Sequence, residues 1–98
     1  MPSFVPHTLN KTVTTAGTRL QVSTTQQYAR FLCIQANTGN GGNIFLGDST
    51  VSSTVFGVKL IAGATFVIGN DGYDAKIDLA QLYCDTSNSG DGYSVLYF

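Results

Sequence analysis

The sequence contains no glutamate and no tryptophan, and only 11% of its residues are charged. Globular domains usually carry about 25% charged residues, and long solvent-exposed helices depend on Glu, Lys, Arg and Gln. Serine, threonine, asparagine, glutamine and glycine fill the polar positions instead, a mixture that suits strands and tight turns. The composition therefore favours an all-β domain, and 98 residues are enough for one domain but not for two.

Basic clusters and long apolar runs are also missing. The five basic side chains are scattered along the chain, at Lys11, Arg19, Arg30, Lys59 and Lys76. A protein that binds a phosphate backbone needs clustered Lys and Arg, so we expect no nucleic acid as a direct partner. The apolar runs are far shorter than the ~20 residues of a membrane-spanning helix, and the first ten residues do not resemble a secretory signal. We therefore expect no membrane partner and a protein that stays in a cytoplasm or assembles there.

Reactive groups are few. Cys33 and Cys84 have no second cysteine or histidine at metal-ligand spacing, so we expect no metal and no cofactor. Two buried reduced thiols are the main interpretation, and a disulfide closing a loop of about fifty residues is the alternative. The single histidine, His7, has no nearby partner to orient it as a general base. The sequence therefore predicts that this protein is not an enzyme. The contrasting hypothesis is a small hydrolase, for which one histidine and no glutamate offer few catalytic groups.

Short apolar segments cut by glycine and asparagine fill the chain from Arg30 onward. The breaks at residues 39–43, Asp71-Gly72 and Asp91-Gly92 have turn chemistry, and the last two are typical hairpin pairs. Counting the segments predicts seven or eight strands at a spacing near ten residues. That pattern is typical of a small antiparallel β-sandwich or a barrel-like jelly roll. Residues 79–83 alternate less clearly and are predicted to form a single helical turn.

The first nine residues predict an extended arm in front of a single sandwich domain over residues 10–98. Pro2 and Pro6 each remove a backbone donor, which makes this segment unsuitable for a central strand. Phe4 and Val5 are apolar and need cover. The arm is long enough to pack on its own domain or on a neighbouring molecule.

Several strands are apolar on both faces. Leu32, Ile34 and Ala36 share one face of their segment, which places Phe31 and Cys33 on the other. Residues 44–46, 66–68 and 95–98 repeat this pattern. The outer faces of a monomeric sandwich are normally polar, so we expect these second faces to be covered by the arm, by loops or by another copy. The residues predicted to form a protein–protein interface are Phe4, Val5, Pro6, His7, Phe31, Cys33, Phe45, Tyr97 and Phe98.

Three stretches carry a more specific pattern: FLCIQANTGNGGNIFLGDS, GVKLIAGATFVIG and LAQLYCDTSNSGDGYSVLYF. Together they resemble small virion proteins of tailed bacteriophages, over about two-thirds of the chain. The resemblance rests on core and turn positions, namely Ile34, Ala36, Ile44, Gly47, Leu60, Gly63, Leu79, Tyr83, Asp85, Gly90, Asp91, Gly92 and Tyr97. It implies a β-sandwich and a structural role in the particle.

Within that group, the resemblance implies a capsid decoration or cement protein. Such a protein is a homotrimer that binds the outside of the capsid and stabilises contacts between subunits of the major capsid protein, and its location is the virion. The alternative is a tail or fibre accessory module that binds a receptor through Tyr73 and Tyr93. Both lie beside Asp-Gly turns, so they either stand at loop tips or bury their rings with the hydroxyl at the edge. Neither role needs a catalytic residue.

Overall fold

The structure, a computed structural model, describes residues 5–69 and 76–98. These residues form ten β-strands and no helix. The strands are β1 (His7–Thr12), β2 (Leu20–Gln21), β3 (Tyr28–Ala29), β4 (Phe31–Ala36), β5 (Ile44–Gly47), β6 (Val58–Leu60), β7 (Thr65–Gly69), β8 (Ile77–Asp78), β9 (Tyr83–Thr86) and β10 (Gly92–Tyr97). The predicted all-β class is confirmed. The predicted count of seven or eight strands is wrong, because β2, β3 and β8 have only two residues each and leave no alternation to detect.

The strands form two four-stranded antiparallel sheets and one two-stranded sheet. Sheet A has the order β1-β10-β4-β7, sheet B has the order β2-β9-β5-β6, and β3 pairs with β8. Buried side chains from both large sheets belong to one hydrophobic cluster. The architecture is thus consistent with a β-sandwich whose core lies between sheets A and B.

The core follows the period-two pattern of the sequence. Leu32, Ile34 and Ala36 of β4 are all at most 2% exposed, as the alternation predicts. Val95 and Tyr93 of β10 complete the inner face of sheet A, and residues of β5, β6 and β9 cover it from sheet B. The buried cluster comprises Val13, Val22, Ala29, Leu32, Ile34, Ala36, Ile44, Leu46, Leu60, Leu79, Cys84, Tyr93 and Val95.

Two of the predicted local structures differ from those observed. Residues 79–80 form a turn that leads into β9 at Tyr83, so the predicted helical turn is wrong. Asp91-Gly92 does not close a hairpin, because β9 lies in sheet B and β10 in sheet A. The segment before Gly92 instead carries the chain from one sheet to the other, and residues 37–43 do the same between β4 and β5. The predicted Asp71-Gly72 turn lies outside the described residues.

These two sheet-to-sheet connections are tied together by the buried carboxylate of Asp91, which is 4% exposed. It accepts hydrogen bonds from the backbone N–H of Gly41 at 3.0 Å, from that of Gly42 at 2.7 Å, and from Nδ2 of Asn88 at 2.9 Å. Burial acts to raise the pKa of Asp91, but the hydrogen bonds from Asn88, Gly41, Gly42 and Thr86 outweigh it and hold that pKa below its ordinary value. Gly42 is required here, since a Cβ at this position would collide with the side chains of Ser87 and Asn88.

The segment predicted to be an arm overlaps the first strand of sheet A. His7, Thr8 and Leu9 belong to β1, where they pair with Tyr97, Leu96 and Val95 of β10. Leu9 is half-buried against the core cluster. Of the described residues in the predicted arm, only Val5 and Pro6 precede the sheet.

Candidate interaction surface

The outer face of sheet A carries a row of apolar side chains. Cross-strand partners in an antiparallel sheet point to the same face, and the register places Leu96 opposite Cys33 and Cys33 opposite Val67. The inner face is taken by their neighbours in sequence, including Leu32 and Ile34. Val67 is 63% exposed and Leu96 is 43% exposed, while Cys33 is half-buried. The sheet is therefore apolar on both faces along this row, as the sequence indicates.

The next row toward the end of the sheet is also apolar. Phe31 and Phe98 exchange two backbone hydrogen bonds of 3.0 Å, and their rings lie 5.7 Å apart at a tilt of 42°. The Phe31 ring lies over Gly69, where an added Cβ would stand 2.6 Å from Cε1 of the ring. Glycine at position 69 thus lets the Phe31 side chain lie flat across the end of β7.

Phe31, Cys33, Val67, Leu96 and Phe98 together form what we call the outer patch. They surround a shallow hollow of about 150 Å³ to which Leu32 also contributes, and none of the lining residues is charged. The row on the far side of Cys33 contains only polar side chains: Asn10, Ser94, Gln35 and Thr65. The outer patch is thus a bounded apolar area at one end of sheet A, which is the pattern expected of a contact site.

On sheet B, an outward-facing apolar side chain is covered by a loop of the same chain. Phe45 points away from the core of the sandwich but is only 4% exposed, because the ring of Phe56 lies 5.1 Å from it. Phe56 belongs to the loop between β5 and β6, which also encloses a polar-rimmed hollow of about 280 Å³ with Asp48 and Thr50. Phe45 is one of the residues predicted to form a protein–protein interface, and the structure places its side chain almost fully buried beside Phe56.

The other predicted interface residues are divided. Tyr97 lies on the inner face of sheet A with Leu32 and packs against the core, where its ring stacks on His7 at 5.2 Å. The structure thus does not place Tyr97, a predicted interface residue, among the outward-facing side chains, although His7 itself is exposed. Val5 is 66% exposed and Pro6 is exposed as well. Phe4 lies outside the described residues.

Sequence reasoning missed two residues of the outer patch, Val67 and Leu96. The signal was present in the alternation of β10. Tyr93 and Val95 point inward, so Tyr97, the next residue in the same alternation, must also point inward. Leu96 stands between Val95 and Tyr97 and must therefore point outward. The same argument applied to β7 separates Val67 from Phe66 and Ile68, which pack against the core.

The remaining groups with chemical potential are buried or isolated. Both cysteines are free, and burial raises the pKa of the Cys84 thiol to about 12. Tyr93 is 1% exposed, with the Cys84 thiol beside its hydroxyl, so its ring is buried and does not stand at a loop tip. Tyr73 lies outside the described residues. Within residues 5–69 and 76–98 no group of His, Cys, Asp or Glu is arranged to hold a metal ion.

Comparison with known proteins adds no relative. No family model matches the chain, and neither a curated protein nor a solved structure does. A search of the described residues for a helix long and apolar enough to cross a membrane also found none. The outer patch is therefore the feature of this chain that bears most directly on its function.

Proposed function

We propose that this chain is a structural virion protein without catalytic activity. In this role it binds the outside of a phage capsid as a homo-oligomer and stabilises contacts between major capsid subunits. The observation that supports the proposal is the outer patch, in which Val67 is 63% exposed and Leu96 is 43% exposed, whereas on sheet B the ring of Phe56 lies beside Phe45. Burying apolar area stabilises a contact by about 25 cal/mol per Å², so a patch of this kind favours assembly.

The rest of the molecule fits a mechanical role. The two sheets share one core, and buried Asp91 anchors the connections at one end, which makes a rigid body. A protein of this kind needs shape and apolar contact area rather than reactive groups. A specific contact requires about 800 Å² from each partner, and repeated contacts around a symmetric shell multiply a modest affinity.

The direct test is co-sedimentation of the purified protein with capsids that lack it, and in parallel with host cells. We expect binding to capsids and none to cells. Leu96→Asp, which places a charge in the outer patch, should weaken capsid binding by a factor of about 100 or more. Ile61→Asp is the matched control, because Ile61 is 62% exposed in the turn between β6 and β7, outside the patch.

The control variant should bind capsids like the original protein, and both variants should retain a cooperative thermal transition. Equal capsid binding by Leu96→Asp and the original chain would contradict the proposal. Binding to cells but not to capsids would favour a receptor-binding role on a tail or fibre instead.

A further inference from the structure

Strand β7 is an unprotected edge of sheet A. It pairs with β4 on one side only, and its five residues, Thr65–Gly69, contain neither a charge nor a proline. The other sheet edges are protected in ways that proteins commonly use. Strand β1 carries Lys11, β6 has Lys59 at the middle of three residues, and β2 has only two residues. Among the edges of the two large sheets in the described part of the chain, β7 is therefore the one long strand without a charge.

The sequence of β7 is complementary to itself. In an antiparallel pair of two copies related by a two-fold axis at Val67, that residue faces its own equivalent. Phe66 then lies opposite Ile68 of the second copy, on the face toward the core, and Thr65 lies opposite Gly69. Apolar residues therefore meet on both faces of the sheet. No like charges are brought together.

The outer patch continues across this seam. The row formed by Leu96, Cys33 and Val67 would run directly into the same three residues of the second copy, in reverse order. We propose that two copies of this chain pair through β7, which joins their A sheets into one eight-stranded antiparallel sheet with a single uninterrupted apolar row on its outer face. The same pairing thus uses the uncharged edge of β7 and makes the apolar row continuous across the two copies.

The inference deepens the proposed function, because it names the contact that makes the homo-oligomer and the surface that the oligomer presents to the capsid. It also changes the expected number of copies. A two-fold strand edge is fully used after two copies, so the basic unit is a dimer, in place of the homotrimer that the resemblance implies.

The test compares the molar mass of three chains by sedimentation equilibrium across a concentration series. Val67→Lys puts like charges directly opposite each other at the seam, and we expect the dimer dissociation constant to rise by a factor of about 100 or more. Leu96→Lys is the matched control: it adds the same charge to the same face, but on β10, two strands away from the edge. We expect Leu96→Lys to remain dimeric while losing capsid binding.

Amide hydrogen exchange of residues 65–69 provides the second measurement, since pairing at the edge protects backbone amides that a contact of faces leaves free. We expect this protection in the original chain and its loss in Val67→Lys. A trimer, an oligomer that survives Val67→Lys, or a dimer that both lysine variants disrupt equally would overturn the β7 contact while leaving the proposed capsid role standing. A chain that is monomeric at about 100 μM overturns the β7 contact and the self-association together, and capsid binding by that monomer would preserve the rest of the proposed function.

Discussion

Replacing Asp91 with alanine should lower the free energy of unfolding by about 3–5 kcal/mol, the largest single-residue effect that we expect in this protein. The substitution removes the acceptor for the N–H groups of Gly41 and Gly42 and for the side-chain amide of Asn88. Hydrogen bonds to a charged group contribute about 1.5–3 kcal/mol each, and the three to Asp91 are part-buried, so their sum is discounted for access of water to the donors. Thermal unfolding followed by circular dichroism should show the midpoint falling by about 15–30 °C.

Asp48→Ala is the matched control for this prediction. Asp48 also accepts hydrogen bonds, from the backbone and side chain of Thr50, but it lies on an exposed turn within one loop. Its removal should have a much smaller effect, because water replaces the lost partner. Similar losses for the two variants would show that Asp91 does not anchor the sheet-to-sheet connections.

Lowering the pH should destabilise the folded protein by protonating the carboxylate of Asp91. The pKa of Asp91 is lower in the folded protein than in the unfolded chain, so its contribution is fully present above pH ~4 and is lost as the pH falls through the folded-state pKa. The stability of the original chain should therefore drop below pH 4 more steeply than that of Asp91→Ala. Parallel pH profiles measured by urea unfolding would contradict this assignment.

Deleting Tyr97 and Phe98 should lower the free energy of unfolding by about 4–6 kcal/mol. The deletion removes the three backbone hydrogen bonds that join Phe98 to Arg30 and Phe31, worth about 1 kcal/mol each, and also the strand pairing of Tyr97. It also removes two half-buried rings, one stacked on His7 and one packed against Phe31, each of which contributes about 1 kcal/mol or more. Strand β4 would then lose its neighbour over Phe31 and Leu32.

Phe98→Ala separates the two contributions, because it removes the ring and keeps the backbone. We expect it to cost about 1–2 kcal/mol in urea-induced unfolding, well below the cost of the two-residue deletion. A deletion variant as stable as the original chain would show that the end of β10 is not needed to complete sheet A.

Much of sheet A could be predicted from the sequence. Alternation in residues 31–36 assigns Leu32, Ile34 and Ala36 to the core and Phe31 and Cys33 to the outside, and the structure has them so. Assigning these residues to the two faces requires only the two-residue period of a strand, which the local sequence specifies. The same alternation predicts that one sheet carries apolar residues on both of its faces.

The partners of each strand could not be predicted in the same way. Asp91-Gly92 has the chemistry of a hairpin, and only the hydrogen bonds of Asp91 to distant Gly41 and Gly42 make it a connection between sheets. Likewise, Phe45 and Cys33 look equivalent in the sequence. Phe45 is covered because a loop brings Phe56 beside it, whereas Cys33 is half-buried and lines a shallow hollow.

The central claim, that another protein chain covers the outer patch, can be measured directly through Cys33. Its thiol lies within the patch, and buried Cys84, with its pKa raised to about 12, serves as an unreactive internal control. The rate of Cys33 alkylation should change little between dilute and concentrated protein, because edge pairing leaves the outer face open, and should fall at least tenfold when capsids are added. A rate for Cys33 that stays the same with and without capsids would contradict the account.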